Sequence, residues 1–104
     1  MPNGTHKVVF SPEAKADLLE LYGYIAEASS EFRALGYIER VEHKCLNLST
    51  FPTRGVPRDD IRQGLRVIGF ERSANIAFAV VENAVIILRV LYRGRDIGTD
   101  MSRE

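Results

Sequence analysis

Three apolar runs in the second half of the chain constrain its fold more than any other feature. They cover residues 65–70, 76–81 and 85–92, and they are rich in Val, Ile and Phe, side chains that fit a pleated surface. Residues 71–75 separate the first two runs, and Glu82-Asn83-Ala84 separates the last two. Because asparagine tolerates the positive φ that a tight hairpin demands, this pattern predicts an antiparallel meander of three strands.

Both faces of the predicted meander are mostly apolar. Successive side chains of a strand point to opposite faces. Strict alternation along the last run therefore gives one face Ile86, Leu88, Val90 and Tyr92, and the other face Val85, Ile87, Arg89 and Leu91. A sheet that is apolar on both faces is expected to be covered on both. We expect helices from earlier in the chain on one face, and a loop, the C-terminal tail or a second protein on the other.

The first half of the chain predicts a helix that begins at Ser11-Pro12-Glu13. Serine can cap free backbone N–H groups, proline fits the first helical position, and glutamate faces the positive end of the helix dipole. The helix is expected to end near Ala28, with Asp17 flanking its apolar stripe or facing solvent. The stripe itself recurs at helical spacing, at Ala14, Leu18, Leu21 and Ile25.

A second helix is predicted from about residue 31 to residue 48. Its apolar stripe is Leu35, Ile38, Val41, Cys45 and Leu48. Ser29-Ser30 can cap this second helix. The pair also leaves only a short connection between the helices, which predicts an antiparallel helical hairpin. His43 and Cys45 lie on different helix faces and are poorly placed to bind one metal ion. We expect His43 at the surface and Cys45 in the core.

The order of elements predicts an α+β fold. Residues 6–10 are typical of a short strand, so the order is an N-terminal strand, an antiparallel helical hairpin, and a three-stranded antiparallel meander. The chain has 104 residues, which is the size of one domain, so we expect a single domain over 1–104 with a core of about 7–97.

Charge is balanced overall but unevenly distributed. The formal net charge of zero argues against a dedicated nucleic-acid coat and against direct sequence-specific nucleic-acid binding. Over residues 13–44 acidic residues outnumber basic ones by seven to four, whereas over residues 54–96 eight arginines face five acidic residues. The planar guanidinium group suits carboxylate, phosphate and interface contacts. We therefore expect partners to bind at residues 54–96, the half of the chain that is predicted to form strands.

Nothing in the sequence predicts a membrane, a metal ion or a cofactor. No run approaches the roughly 20 apolar residues that span a bilayer, and the first ten residues lack the pattern of a signal peptide, so we expect a cytoplasmic protein. Cys45 is the only cysteine, which excludes an internal disulfide. No glycine-rich phosphate loop, metal-ligand spacing or nucleophile elbow is present.

Chemistry-bearing residues gather where the last run ends, at Tyr92-Arg93-Gly94-Arg95-Asp96. This cluster is compatible with a solvated terminus, with binding of RNA phosphates, or with binding of an acidic partner protein. RNA cleavage needs a positioned base and acid, and only Glu71 and Tyr92 are candidates for those roles. Asp59-Asp60 is expected to cap a turn or to pair with arginine rather than to act in catalysis. These residues favour a binding module over an enzyme.

Several motifs, in order, resemble the ParE family of type II toxin–antitoxin toxins within the RelE/ParE superfamily. The matching pieces are Ser11-Pro12-Glu13-Ala14, Asp17-Leu18, Tyr37-Ile38-Glu39-Arg40, Phe51-Pro52, Arg54-Gly55, Pro57-Arg58-Asp59-Asp60, Gly64-Leu65-Arg66, Ile87-Leu88-Arg89-Val90 and Tyr92-Arg93-Gly94-Arg95-Asp96. They extend over roughly residues 8–97. The resemblance implies a bacterial toxin, of the kind associated with plasmid stabilization, that inhibits DNA gyrase and is neutralised by a ParD-like antitoxin.

The resemblance also suggests where partners would bind. We expect the antitoxin to wrap the toxin with a helix and an extended segment, through a partner-binding set of Arg66, Arg72, Arg89, Leu91, Tyr92, Arg93 and Arg95. The alternative is a RelE-like, ribosome-dependent mRNA endonuclease, for which the catalytic set would be Arg66, Arg72, Tyr92 and Arg95. A third hypothesis is a chain that has lost toxicity and only binds its partner.

Overall fold

The computed structural model describes residues 6–92 and residue 98. Over residues 6–92, two helices and five strands follow one another along the chain. They are β1 (Lys7–Phe10), α1 (Pro12–Ala28), α2 (Glu31–Asn47), β2 (Val56–Pro57), β3 (Leu65–Phe70), β4 (Ala74–Val81) and β5 (Ala84–Tyr92). This is the predicted α+β order, and the predicted helix bounds agree with the observed ones to within one residue. Neither helix is long and apolar enough to cross a membrane.

The strands form one sheet in the order β1-β5-β4-β3-β2. β1 runs parallel to β5, and the other neighbouring strands are antiparallel. The predicted β3-β4-β5 meander is therefore confirmed. The two-residue edge strand β2 was not predicted, because it lies in a connection rich in turn residues and contains a proline. Its short length and its proline limit further pairing at that edge of the sheet.

A β-bulge in β5 corrects the predicted faces of the last strand. Ala77 pairs with Arg89 and Phe78 pairs with Ile87, so Leu88 is an extra residue without its own partner on β4. The bulge shifts the alternation by one residue. The helix-facing core consequently takes side chains from both predicted faces, namely Val85, Ile87, Val90 and Tyr92. A period-two pattern read from sequence cannot show such a shift.

Serine residues begin both helices, as predicted. The Ser11 hydroxyl accepts a hydrogen bond from the Ala14 N–H at 3.0 Å and donates to the Leu88 carbonyl at 3.0 Å. Ser30 accepts from the Arg33 N–H at 3.1 Å. The second hydrogen bond of Ser11 ties the start of α1 to the bulge. The two helices pack against each other as the predicted hairpin, and α1 lies on β5.

The main core lies between the helical hairpin and the sheet. Its largest fully buried side chains include Phe78, Leu48, Ile76, Ile87 and Val41. The predicted stripe of α2 is correct except at one position. Leu35 is 52% exposed, and Ala34 and Tyr37 occupy the core in its place.

The opposite face of the sheet is partly covered by this chain itself. A smaller cluster of Leu65, Ala77 and Leu91 is buried there. Ile61, from the connection between β2 and β3, packs against that cluster. We expected a loop, the C-terminal tail or a second protein on this face. The loop between β2 and β3 covers at least part of it.

Cys45 is fully buried, as predicted, and should be chemically inert in the folded chain. Burial, with a smaller contribution from the Glu42 carboxylate, raises the pKa of its thiol to about 12. The thiolate is the reactive form, and at pH 8 almost none is present. We expect no measurable labelling by a thiol-reactive dye in buffer, and complete labelling within minutes in concentrated urea. Rapid stoichiometric labelling of the folded protein would contradict this burial.

Candidate functional site

Arg89, one of the predicted partner-binding residues, forms a buried ion pair with Asp17. Its Nε lies 2.8 Å from Asp17 Oδ2, and its Nη2 lies 2.9 Å from Oδ1. The two side chains are 15% and 7% exposed. Asp17 Oδ2 also accepts the backbone N–H of Val90 at 2.9 Å. Asp17 flanks the apolar stripe, as one of our two expectations had it, and the other expectation, that it faces solvent, is wrong.

The register of β1 explains why Asp17 is buried. β1 ends at Phe10, which is paired with Ile87, so the rest of β5 extends beyond its parallel neighbour. α1 crosses at this point and supplies a carboxylate acceptor for a backbone N–H that lies past the end of β1. A buried backbone donor needs such a partner. Arg89 is therefore engaged inside the protein, and its role in partner binding stays a prediction.

Arg66 fastens a loop to the sheet. Its guanidinium group donates hydrogen bonds to the backbone carbonyls of Thr53, of Arg54 at 3.0 Å and of Gly55 at 3.3 Å. The fork of donors suits this set of carbonyls, which a lysine could not bind together. The loop that Arg66 holds leads into β2. Much of the hydrogen-bonding capacity of Arg66 is thus used within the chain.

Arg72 lies at the tip of the β3–β4 hairpin, in an unusual backbone conformation. Glu71 has φ of 48° and Arg72 has φ of 57°, and the Ser73 N–H donates to the Phe70 carbonyl at 2.9 Å. Two successive positive φ values are typical of a type I′ turn, which favours Asn-Gly. For other residues the left-handed conformation costs roughly 1–2 kcal/mol each. Neither Glu71 nor Arg72 lowers that cost, so the turn is strained.

Two contacts from α2 hold this turn in place. Arg40 donates two hydrogen bonds to the Glu71 carboxylate, at 2.8 Å and 3.1 Å. The Tyr37 and Ser73 hydroxyl oxygens are 2.7 Å apart. The residues on either side of Arg72 are therefore both bound to α2.

The protonation states of this turn disfavour acid–base catalysis. The hydrogen bonds from Arg40 lower the pKa of Glu71, so its carboxylate is ionised at neutral pH and is a weak base. Burial raises the pKa of Tyr37 above its ordinary value of 10, so its phenol keeps its proton. Glu71, which we considered as a possible base, is thus bound in an ion pair rather than tuned for proton transfer.

Tyr92 completes an aromatic cluster beside the turn. Its ring centre is 5.6 Å from that of Tyr24 and 5.8 Å from that of Tyr37, both in edge-to-face geometry. These rings adjoin a groove between the helical hairpin and the end of the sheet, which we call the hairpin groove. Its lining includes Ile25, Phe32, Leu35, Gly36, Tyr37, Arg40 and Tyr92. Phe32 is 86% exposed there, which leaves a large apolar side chain without cover.

The structure brings together only part of the predicted site. Tyr92 and Arg72 lie at the same end of the sheet, since Tyr92 pairs with Ala74 just after the turn. Arg66 lies near the other end of β3, about 13 Å from Phe70, the last strand residue before the turn. Leu91 is buried in the smaller cluster on the opposite face. Arg93 and Arg95 lie outside the described residues, and partner binding by the set as a whole stays a prediction.

The remaining candidates for chemistry have structural roles or are dispersed. Asp60 forms a bidentate ion pair with Arg58. Asp59 accepts a hydrogen bond from the Gly64 N–H at 2.8 Å, and both contacts are those expected for turn residues. His43 is exposed on α2, as predicted. Within residues 6–92 and 98, no three His, Cys, Asp or Glu side chains cluster in a way that could hold a metal ion.

Sequence reasoning missed Asp17, Tyr37 and Ser73 as site residues. A signal for Asp17 was present, because it lies one turn after Ala14 and next to Leu18 within an apolar stripe, and Arg89 interrupts an apolar strand. Two opposite charges at core positions indicate a buried ion pair. Tyr37 and Ser73 are 36 residues apart, and no local pattern joins them.

The fold is similar to that of chains from solved toxin–antitoxin systems. A solved chromosomal ParDE system from P. aeruginosa has a chain with a TM-score of 0.76 and 21% sequence identity, over 88% of this chain and 99% of that one. The RelBE2 toxin–antitoxin complex from Mycobacterium tuberculosis gives a TM-score of 0.61 at 20% identity, over 86% and 99%. At such identities these likenesses show the fold alone.

The family follows from the sequence. The model of the ParE toxin of the type II toxin–antitoxin system parDE matches residues 8–97, and the chain belongs to this family. The resemblance drawn from the ordered motifs is thereby confirmed. No curated protein matches the chain.

Proposed function

We propose that this ParE-type toxin is neutralised by a ParD-like antitoxin that occupies the hairpin groove. The uncovered apolar lining, with Phe32 86% and Leu35 52% exposed, is the observation that carries the proposal. Exposed apolar surface rimmed by polar residues is typical of a protein-binding site. An amphipathic helix would fit such a groove. The two solved systems with this fold are themselves named as toxin–antitoxin systems.

We further propose that the target is DNA gyrase in the cytoplasm, and that the toxin acts by binding. Membership of the ParE family supports this target. So does the chemistry of the described residues, where Glu71 is held as an anion by Arg40 and Tyr37 keeps its proton. Neither group is suited to proton transfer at neutral pH.

A supercoiling assay with purified gyrase tests this target. We expect excess toxin to inhibit supercoiling or to trap cleaved DNA, and stoichiometric ParD-like antitoxin to restore normal supercoiling. The antitoxin serves as the control for a nonspecific effect of added protein. Normal supercoiling at large excess of a folded toxin would refute the gyrase proposal. If overexpression in cells that lack the antitoxin also caused no growth arrest, the chain would be a binding partner without toxicity.

A RelE-like mRNA endonuclease is the second candidate. The observations that favour it are the fold shared with the RelBE2 complex and the placement of Arg72 and Tyr92 at one end of the sheet. Primer extension on translated mRNA during growth arrest decides between the two. New cleavage sites that vanish in an Arg72→Ala variant would support the endonuclease, and their absence during arrest would remove it.

A further inference from the structure

We propose that the β3–β4 turn is a contact element for the antitoxin, in which Arg72 binds a carboxylate of an acidic antitoxin segment and Tyr37 is a positioning residue. This inference rests on the proposed function and adds a specific contact to it. Three observations carry it: the strain of the turn, the contacts that Arg40 and Tyr37 of α2 make with the turn, and the guanidinium group of Arg72, which has no partner among residues 6–92 and 98.

The strain has a structural compensation at residue 71, whose carboxylate binds Arg40, but no contact in the described part of the chain compensates it at residue 72. Both have positive φ, at 48° and 57°, and Asn-Gly would adopt this conformation more readily. Strained backbone persists where the surroundings fix it, and it is concentrated at functional sites. At residue 72 the fold alone would be better served by a smaller or more permissive residue.

The two bonds from α2 fix the turn on both sides of Arg72. The Arg40 guanidinium binds Glu71, and the Tyr37 hydroxyl binds Ser73. The Tyr37 ring is itself held by edge-to-face packing against Phe70 and Tyr92, at 5.4 Å and 5.8 Å between ring centres. The direction in which the turn presents Arg72 is therefore set before any partner arrives, which lowers the entropic cost of binding.

Arg72 differs from the other arginines of this region. Arg40, Arg66 and Arg89 each bind a carboxylate or backbone carbonyls. The exposed side chain of Arg72 has no hydrogen bond or ion pair with any residue in the described part of the chain. No residue in that described part therefore neutralises its charge.

The surroundings of Arg72 favour a polypeptide over RNA. Tyr37 and Arg40, which hold the turn, also line the hairpin groove, whose lining includes the exposed apolar residues Phe32 and Leu35. An amphipathic segment could place apolar side chains in the groove and an acidic side chain on Arg72. A nucleic acid would instead require a basic surface along the phosphate backbone.

The test measures affinity for a purified ParD-like antitoxin, by titration calorimetry at two salt concentrations. We expect Arg72→Ala to weaken binding by about 10–100-fold, as for loss of a charge-assisted hydrogen bond, and to reduce the salt dependence of the affinity. Tyr37→Phe should weaken binding about 3–5-fold on the same scale. The double variant Tyr37→Phe with Arg72→Ala should bind no more weakly than Arg72→Ala alone, because the hydroxyl acts through the arginine.

A second pair of variants separates binding from folding. Arg72→Gly, which keeps the Arg40–Glu71 ion pair, should raise the melting temperature by about 5 °C through relief of strain, yet weaken binding at least as much as Arg72→Ala. Glu82→Gly is the matched control, since Glu82 also has positive φ, at 55°, in the hairpin between β4 and β5. It should raise the melting temperature and leave the affinity within about twofold of the original.

The outcomes distinguish this inference from the proposed function. If the unaltered chain binds no antitoxin, the proposed function fails and this inference fails with it. If the unaltered chain binds and Arg72→Ala binds equally well, only the inference is overturned. If the effects of Tyr37→Phe and Arg72→Ala simply add, Tyr37 is not a positioning residue.

Discussion

Replacing Asp17 by alanine is expected to lower the free energy of unfolding by about 3–5 kcal/mol, because it leaves the buried Arg89 guanidinium without a counter-charge. The substitution also removes the acceptor of the Val90 N–H. Both groups lie where α1 crosses the bulge in β5, so water cannot readily replace the carboxylate. Urea denaturation followed by circular dichroism gives the loss as a shift of the midpoint at constant slope.

Two controls identify the cause of that loss. Asp17→Asn keeps the shape and an acceptor oxygen, so it should cost less than Asp17→Ala. Asp17→Leu combined with Arg89→Met replaces the ion pair by apolar side chains, and it should recover about half of the loss or more, since buried pairs are often replaceable in this way. A stability of Asp17→Ala equal to that of the original chain would mean that the pair is not buried as described.

Gly55→Ala is expected to destabilise the fold by roughly 2–5 kcal/mol, the combined cost of a left-handed conformation and of overpacking. Gly55 has φ of +81°, and a Cβ atom there would lie 2.5 Å from the Val67 carbonyl oxygen. That oxygen is backbone in β3 and cannot move aside cheaply. The loop held by Arg66 would have to leave the sheet or distort it, and thermal unfolding measures the result.

Gly64 is the matched control for that prediction. Its φ of +83° is nearly the same, but a Cβ atom there would have no heavy atom within 4 Å. Gly64→Ala should therefore cost only the conformational part, about 1–2 kcal/mol. An equal loss of unfolding free energy at the two positions would show that the close approach of Gly55 to β3 does not contribute to the cost of the substitution.

These predictions concern stability alone. At the β3–β4 turn, in contrast, we expect the substitutions that raise stability to lower the affinity for the partner. The turn carries the strain of Glu71 and Arg72, and α2 holds it through Arg40 and Tyr37. A variant that is more stable but binds less tightly is the usual sign of a site kept for function. The measurements on this turn and on Asp17 therefore separate residues that maintain the fold from residues that serve the partner.

Local signals predicted the elements of the fold but misplaced some side chains. Ser11 and Ser30 were predicted as helix caps because a cap depends on a few neighbouring residues. The positive φ of the β4–β5 hairpin was expected at Asn83, and it occurs at Glu82 instead. The preference of asparagine for positive φ is small compared with the free energy of pairing two strands. The register of the sheet therefore decides which hairpin residue takes the positive φ.

The sequence alone determined the order of helices and strands, the helix caps, the buried cysteine and the family, because each depends on local periodicity or on short ordered motifs. The tertiary structure alone decided which of the predicted site residues lie near one another and which further residues join them. The bulge at Leu88, the Asp17–Arg89 pair and the Tyr37–Ser73 contact join positions that are far apart in the chain. Their energies come from burial and geometry that exist only once α1 and α2 have packed on the sheet, and no local pattern of residues encodes such contacts.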